Sequence, residues 1–261
     1  MFNWKLKQGI KYLELEEFHE YGAKAYFTSR MIAPDINEFE EPFYSLRKDK
    51  SGKDGLPGLS HFLQVLDLEV EKIVTVKQVH GDRVLRVNCP EVFRNNNNPE
   101  ADGLICRTGE AVLVTYYADC VPLYFLDPEK KISALAHAGW RGTAARIGIK
   151  TLQKMEQEYG TSTSDCFVGI GPAICGRHYR VGKELRDNFS SIFSCWSQFV
   201  FREGNDFFLD LPRCNRIMLE QAGIPPDQII MSGMCTYEEQ DKFYSYRRDN
   251  CETGRMAAII G

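Results

Sequence analysis

Two apolar runs joined by a short charged turn constrain the fold more than any other part of the chain. Residues 121–126 (VPLYFL) and 132–138 (ISALAHA) are separated by DPEKK. Apolar runs of this length, bounded by turn residues, are typical of buried strands. Cys120 stands at the head of the first run and His137 near the tail of the second. A thiol and an imidazole on adjacent strands predict a site for a metal ion or for covalent chemistry.

Composition narrows the class of protein. The 261 residues are 43% hydrophobic and 26% charged, which is the ordinary mix of a globular protein. The net charge of −4 gives no bulk attraction to nucleic acid or to an anionic membrane. We find no run of about 20 apolar residues that could span a membrane. The N-terminus also lacks the apolar segment of a signal peptide, so we expect a cytoplasmic protein.

The hydrophobic pattern predicts a mixture of strands and helices. Strands are predicted at 8–18, 23–28, 73–79, 82–87, 101–105, 111–117, 121–126, 132–138, 167–171, 229–231, 243–249 and 256–260. Helices are predicted at 59–70 with Ser60 as cap, 143–159 with Gly160 as C-cap, 182–193 and 212–222. Residues 31–58 are expected to form a long loop, and residues 199–211 an irregular or extended segment. Residues 8–18 and 23–28, and likewise 73–79 and 82–87, are expected to pair as hairpins. This mixture predicts a layered α/β or α+β fold in one domain, residues 1–261.

The cysteines argue against a structural zinc knuckle. There are nine of them, and no two have C-x-x-C spacing. In a cytoplasmic chain we expect most of them to be reduced and buried.

His80, Cys120 and His137 form the strongest candidate site. Each lies at the end of a predicted strand, so the three side chains would meet at the rim of a sheet. Two imidazoles and one thiolate suit Zn²⁺ and leave a fourth position for water or substrate, which is typical of catalytic zinc. Two alternatives stay open: Cys120 as a nucleophile with His137 as its base, or three unrelated core residues.

Several charged residues are further candidates for binding a substrate or transferring protons. Arg141 lies at the start of a helix, where an anion such as phosphate is favoured, although a solvated arginine in a plain turn is as good an explanation. A second basic cluster near the C-terminus is either a pocket wall or a solvated face, and it consists of Arg247, Arg248 and Arg255. Asp119 is a candidate general acid or base, or a partner for a ligating imidazole. Asp102 is a weaker candidate that fits a turn.

Six motifs in this order carry a resemblance to a known family. They are KQVHGDRV, ADGLI, YADCVPLYF, AHAGWRGTAARI, GIGPAICGRHYRVG, and FYSYRRDN followed by TGRMA. Together they resemble the YfiH family, also called laccase-domain or multicopper polyphenol oxidase-like proteins. The sequence departs from the family pattern at Ser29-Arg30-Met31-Ile32 and at Leu46-Arg47.

The resemblance implies a fold and a site. The fold would be a layered α/β/β/α sandwich with mixed sheets, similar to the catalytic domain of cytotoxic necrotizing factor. The family's metal ligands fall on His80, Cys120 and His137, with Zn²⁺ as the metal and Cu²⁺ as a second possibility. Catalytic roles fall on Cys120, Asp119 and His137.

The resemblance also implies an activity. Members phosphorolyse adenosine, inosine and 5′-methylthioadenosine and deaminate adenosine. The partners would be a small-molecule nucleoside and phosphate, with no nucleic acid and no membrane, and the protein would be a monomer or homodimer. We expect substrate contacts from Gln78, Arg141, Arg247 and Arg248.

Three other functions stay open at this stage. A laccase would need a trinuclear copper cluster plus a blue copper, and five histidines without an H-x-H pair cannot supply four copper ions. A thiol hydrolase or editing enzyme acting on cell-wall precursors would use Cys120 as its nucleophile. Zinc could also act only as a structural clip, in which case its removal would unfold the protein.

Overall fold

The computed structural model describes residues 1–32, 56–88 and 98–261. The strands are β1 (Phe2–Lys7), β2 (Ile10–Leu15), β3 (Ala25–Ile32), β4 (Ile73–Val74), β5 (Val84–Arg86), β6 (Gly103–Arg107), β7 (Val112–Tyr117), β8 (Val121–Asp127), β9 (Ile132–Ala138), β10 (Phe167–Ile170), β11 (Arg180–Val181), β12 (Val200–Glu203), β13 (Asp206–Leu209), β14 (Ile229–Met231) and β15 (Met256–Ile260). The helices are α1 (Glu16–Glu20), α2 (Leu56–Val65), α3 (Trp140–Ala144), α4 (Ile147–Tyr159), α5 (Lys183–Ile192) and α6 (Leu211–Gln221). No helix in these ranges is long and apolar enough to cross a membrane.

The strands form two six-stranded sheets and one small sheet. The first sheet has the order β1-β2-β3-β15-β7-β4, and the second has the order β14-β10-β8-β9-β6-β5. Both are mixed, because β4 runs parallel to β7, β5 to β6 and β14 to β10, while the other neighbours are antiparallel. Strands β11, β13 and β12 make the small third sheet. The predicted α/β class with mixed sheets is confirmed.

Three apolar clusters hold these layers together. One lies between the two large sheets and joins side chains such as Phe27 and Tyr117 of the first to Tyr124 and Leu135 of the second. A second packs the outer face of the second sheet against α4, α5 and α6. A third packs α2 against the outer face of the first sheet. The second sheet is therefore covered on both faces, and this is why β8 and β9 are buried at every position and apolar without alternation.

Several predicted elements were right in place and type. The predicted strands around β7, β8, β9, β10, β14 and β15 and the helices α5 and α6 are confirmed within one or two residues. Gly160 ends α4 with a φ of +70°, as expected of a C-cap glycine. Strand β2 pairs antiparallel with β3 as predicted, although helix α1 lies between them.

The N-terminal prediction was wrong in its boundaries. A turn at Gln8 and Gly9, both with positive φ, ends a first strand that the pattern did not reveal. Residues 16–18 belong to α1 rather than to a strand. Ser60 lies inside α2 and does not cap it. Of the predicted long loop, residues 33–55 lie outside the described residues.

Three other predictions were wrong, the first of them because long-range pairing overrides local pattern. Residues 82–87 are not the hairpin partner of 73–79, because β4 belongs to the first sheet and β5 to the second. The predicted helix 143–159 is two helices, since Arg146 has a left-handed φ of +61° between α3 and α4. Residues 243–249 do not form a strand, and residues 246–249 form a turn. By contrast, the prediction of an irregular or extended segment at residues 199–211 is confirmed in its extended form, because that segment contains the β12–β13 hairpin.

Candidate metal centre

His80, Cys120 and His137 meet at one edge of the second sheet. Cys120 immediately precedes β8, and His137 is the penultimate residue of β9. The two strands pair antiparallel with Val121 opposite Ala138, so the pairing register brings Cys120 beside the end of β9. His80 arrives from the segment that crosses between the sheets. One ligand atom from each of the three side chains lies within 4.8 Å of the others.

Asp102 holds the two imidazoles in relation to each other. Its carboxylate accepts hydrogen bonds from the backbone N–H groups of Val79 (3.2 Å), His80 (2.9 Å) and Gly81 (2.7 Å). Its Oδ1 also lies 2.8 Å from Nδ1 of His137. This contact occupies Nδ1 and leaves Nε2 of His137 as the metal-ligating nitrogen. A carboxylate behind a ligating imidazole is a recurrent feature of zinc sites.

The role of Asp102 corrects the sequence-based ranking of the two aspartates. We expected Asp119 as a partner for a ligating imidazole, and the structure gives that contact to Asp102. Asp102 looked like a turn residue because it precedes β6 in an Ala-Asp-Gly motif. Only the antiparallel pairing of β6 with β9 brings it to His137.

The electrostatics of the site favour a thiolate. Burial would raise the pKa of Cys120, but the charge of His137 and hydrogen bonds from His137 and His80 outweigh it and lower the pKa to about 6. Burial would lower the pKa of His137, but Cys120 and Asp102 raise it to about 9. A thiolate is the form of cysteine that binds a metal or attacks a substrate.

The chain fits a metal ion at this position. Two imidazole nitrogens and one thiolate are a donor set that suits zinc or copper. The absence of a side chain at Gly139 keeps the position open, because a Cβ there would lie 3.0 Å from His80 Cδ2 and 3.1 Å from Cys120 Sγ. Metal binding needs this space.

Asp119 lies next to Cys120 and is tied to two distant segments. Its Oδ1 accepts a hydrogen bond from Thr236 Oγ1 at 2.7 Å, and its Oδ2 accepts one from the Arg247 backbone N–H at 2.7 Å. Asp119 has a left-handed φ of +83°. The carboxylate therefore positions residues 236 and 247 beside the site, a connection that the sequence did not reveal.

Two arginines act on Tyr179, which in turn is influenced by the charge of Cys120. The Arg247 guanidinium packs 4.9 Å from the centre of the Tyr179 ring. Burial and the negative charges of Cys120 and Asp119 raise the pKa of Tyr179 to about 12, while Arg247 and Arg141 oppose the rise. Tyr179, which sequence reasoning missed, thus lies within electrostatic range of both arginines and of the thiolate. Arg141 itself is exposed and stacks on Trp140, and it forms no ion pair with any described residue.

Two predicted substrate contacts have structural partners instead. All five N–H donors of Arg248 are used by Asp249 and by the backbone carbonyls of residues 236, 237 and 243. The Gln78 amide pairs with both backbone groups of Tyr116, donating at 2.9 Å and accepting at 2.8 Å. Arg248 clamps the segment that carries Arg247, and Gln78 anchors the segment that carries His80.

A separate cavity of about 600 Å³ lies next to β10 and α6. Asp210, Arg213, Arg216 and Met231 are among its lining residues, and His80, Cys120 and His137 are not. We do not assign the substrate to this cavity, because none of His80, Cys120 and His137 lines it.

The mixed two-sheet fold and its Cys-His-His rim define a class of protein, and comparison with known proteins agrees. The sequence model of the family described as "Multi-copper polyphenol oxidoreductase laccase" matches residues 58–261. The chain belongs to this laccase-domain family, and the predicted resemblance to the YfiH family is confirmed. Membership implies metal binding.

Relatives in this family carry one recurrent name. The chain is 31% identical over 241 residues to purine nucleoside phosphorylase YlmD of Bacillus subtilis, covering 90% of this chain and 87% of that protein. It is 34% identical over 223 residues to a purine nucleoside phosphorylase of Deinococcus radiodurans, covering 84% and 83%. The solved structure of YlmD from Geobacillus stearothermophilus superposes with a TM-score of 0.86 at 30% identity, over 100% of this chain and 99% of that one.

Proposed function

We propose that this chain is a zinc-dependent purine nucleoside phosphorylase that acts on adenosine, inosine and 5′-methylthioadenosine and also deaminates adenosine. The observation that carries the proposal is the cluster of His80, Cys120 and His137, in a family whose relatives are named purine nucleoside phosphorylases. We propose that residues 1–261 act as one catalytic domain.

A zinc ion held by Cys120 Sγ and one nitrogen of each histidine would supply a Lewis acid to the substrate. The protein residues do the rest. Asp102 fixes the ring of His137 and the backbone that carries His80. Arg141 and Arg247 would bind the phosphate, since guanidinium groups form charge-assisted hydrogen bonds to phosphate oxygens. We leave Arg248 and Gln78 out of the substrate contacts because their polar groups are engaged within the protein.

The phosphorolysis reaction balances without any oxidant. A phosphate oxygen forms a bond to ribose C1′ while the bond from C1′ to the purine nitrogen breaks. The electron pair goes to the base, which takes up a proton. In deamination, water adds at C6 of adenine, ammonia leaves and inosine remains. Asp119 is our candidate for accepting the water proton, since each of its oxygens keeps a lone pair after its bonds to Thr236 and Arg247.

A product assay tests the proposal. Zinc-loaded protein is incubated with adenosine or inosine, with and without phosphate, and products are separated by chromatography. We expect free base and ribose 1-phosphate only with phosphate, and inosine from adenosine without it. Both should disappear in Cys120→Ala. Cys195→Ala is the matched control, because Cys195 is also half-buried and lies outside the site. Turnover no higher than that of Cys120→Ala would refute the proposal.

One observation favours a second candidate function, a thiol hydrolase. Cys120, His137 and Asp102 stand in the order of a nucleophile, its base and an orienting carboxylate. This enzyme would stay active after metal removal and would lose activity when iodoacetamide alkylates Cys120. The zinc enzyme would lose activity on metal removal and regain it with zinc, so one chelation experiment separates the two.

We do not propose a multicopper oxidase despite the family's description. The described residues place His80 and His137 at one site, and the whole chain has only three further histidines. A trinuclear cluster together with a blue copper needs many more imidazole ligands than these.

A further inference from the structure

A second group of metal-ligating side chains joins two segments that are far apart in the sequence. Cys175 and His178 follow β10, and Cys235 and Glu238 follow β14. Each pair has three-residue spacing, C-x-x-H in the first and C-x-x-E in the second. The four ligand atoms all lie within 4.8 Å of one another. A search for C-x-x-C spacing, on which the expectation of no structural zinc knuckle was based, overlooks this arrangement.

Four of the six separations between these atoms are close to those of a tetrahedral zinc site, and the other two are at most 4.8 Å. His178 Nδ1 lies 3.3 Å from Cys175 Sγ, 3.8 Å from Cys235 Sγ and 3.3 Å from Glu238 Oε1. The Cys175 Sγ and Glu238 Oε1 atoms are 3.9 Å apart. Zinc lies about 2.3 Å from a sulfur ligand and about 2.0–2.1 Å from a nitrogen or oxygen ligand. At tetrahedral angles, these bond lengths place sulfur about 3.6 Å from nitrogen or oxygen, and nitrogen about 3.4 Å from oxygen. For these four separations, the ligands need to move by only a few tenths of an ångström.

We propose that Cys175, His178, Cys235 and Glu238 bind a second zinc ion, separate from the one at His80, Cys120 and His137. Four protein ligands close the coordination sphere, so this ion is structural. The proposal does not depend on the proposed nucleoside activity.

The surroundings of the cluster complete the site. The Cys175 backbone N–H points to Cys235 Sγ at 3.3 Å, which stabilises charge on that sulfur. The His178 ring stacks on Tyr237 with centroids 4.5 Å apart, which fixes its orientation. Two thiolates and one carboxylate around a divalent ion leave one negative charge, and Arg177 offsets it by donating to Glu238 Oε1 at 2.9 Å. Soft sulfur ligands select zinc over magnesium or calcium.

A zinc ion here would staple two segments that reach the first site. Ala173 and Cys235 form a parallel bridge, and the Thr236 backbone N–H donates to the Ala173 carbonyl at 3.1 Å. The Thr236 side chain in turn donates to Asp119, next to Cys120. The second zinc ion would therefore fix the position of Thr236, the residue that orients Asp119.

Metal counting in the absence of the first site tests the proposal. Full-length Cys120→Ala is stripped with a chelator, reloaded with zinc chloride, desalted and measured by mass spectrometry of the metal. We expect two zinc ions per chain in the wild type, one in Cys120→Ala, and none when Cys175→Ser and Cys235→Ser are added. Cys195→Ser in the same background is the matched control and should keep its zinc.

A milder variant guards against misfolding. His178 is partly exposed, so His178→Gln in the Cys120→Ala background should keep its far-ultraviolet circular dichroism spectrum. Zinc should raise the Tm of Cys120→Ala but not that of the double variant. Cobalt should give a thiolate charge-transfer band in Cys120→Ala that weakens by about half with Cys235→Ser, because one of two thiolates is lost.

Three results would overturn the proposal. One is a Cys120→Ala protein that binds no zinc. Another is zinc that stays bound after both Cys175 and Cys235 are replaced. The third is a disulfide between these two cysteines in the freshly purified protein, detected by mass spectrometry without reduction.

Discussion

Asp102→Asn is the most informative single substitution, because one buried carboxylate organises two of the three candidate metal ligands. Its Oδ1 accepts from the His80 backbone and contacts His137 Nδ1, and its Oδ2 accepts from the backbones of Val79 and Gly81. Asparagine has the same shape but only one oxygen. In either orientation two of the four bonds are lost or altered. With the nitrogen at the Oδ2 position, the Val79 and Gly81 bonds become contacts between donors. With the nitrogen at the Oδ1 position, the His80 bond becomes such a contact and His137 must accept at Nδ1, which puts the ring proton on the metal-ligating Nε2.

The magnitude follows from those two bonds. Hydrogen bonds to a charged group contribute about 1.5–3 kcal/mol each, so we expect a loss of at least about 3 kcal/mol in the free energy of unfolding. In a chain of this size that corresponds to a fall in Tm of about 6–12 °C. Replacement of the partner of a ligating imidazole weakens metal binding by about 10–100-fold, and we expect the same at the first site.

The assay combines thermal unfolding with competition for zinc against a chromophoric chelator. Asp127→Asn is the matched control. Asp127 is also fully buried, but only its Oδ1 accepts a bond, from the Lys130 N–H at 2.9 Å, and its Oδ2 has no partner among the described residues. The control should therefore keep its zinc affinity and lose little stability. A wild-type Tm and zinc affinity in Asp102→Asn would refute the reasoning.

The remaining predictions concern space, charge and pH. Gly139→Ala should weaken zinc binding at the first site, because the new Cβ would crowd two ligands. Gly182→Ala should not weaken it, because nothing lies within 4 Å of the new Cβ there. The zinc content of each variant after dialysis tests this prediction. Arg141→Ala should raise the KM for phosphate by about tenfold and leave the KM for nucleoside unchanged. Replacement of the exposed Arg213 by alanine is the control in the same kinetic assay. Burial would raise the pKa of Asp249, but hydrogen bonds from the neighbouring arginine and from a threonine outweigh it and lower the pKa below 3.8. Because the unfolded chain holds the proton more tightly, this carboxylate stabilises the fold above about pH 4 and loses its contribution as the pH falls through the lowered folded pKa. The difference in Tm between wild type and Asp249→Asn should therefore be present at pH 7 and close in acid; a difference that stays constant to pH 2.5 would contradict it.

The part of the site built from neighbouring segments could be predicted from the sequence. Strands β8 and β9 are adjacent in the chain and joined by a short turn, so their antiparallel pairing follows from local pattern. That pairing alone places Cys120 near His137. The continuous apolar character of both runs also predicted that they are buried strands.

The part built from distant segments could not. His80 reaches the site because the chain crosses from one sheet to the other, and local pattern suggested a hairpin instead. Asp102 and Thr236 act through pairings between residues separated by 35 and 117 positions. The hydrophobic periodicity of a sequence carries no information about such contacts. The resemblance to a known family identified the metal ligands but not the residues that position them.

Backbone strain at the first site shows where its organisation comes from. His80 and Asp119 both have left-handed φ angles, +60° and +83°, which cost about 1–2 kcal/mol each in a residue with a side chain. At His80 three consecutive backbone N–H groups point toward one carboxylate. Backbone in this conformation commonly binds anions in this way. At Asp119 the carboxylate itself accepts the two bonds that fix it. Charge-assisted bonds outweigh the strain in both places, so folding alone orders the ligands.

We therefore expect that a metal at the first site does not hold the fold together. Cys120→Ala removes the thiolate ligand and leaves the bonds of Asp102 and Asp119 untouched. We therefore expect this variant to keep the far-ultraviolet circular dichroism spectrum of the wild type and to unfold cooperatively while it loses turnover. Unfolding of Cys120→Ala would instead favour a structural clip at this position, since a clip contributes its binding energy directly to folding. The two aspartates, and not the ion, are the groups on which the shape of the site depends.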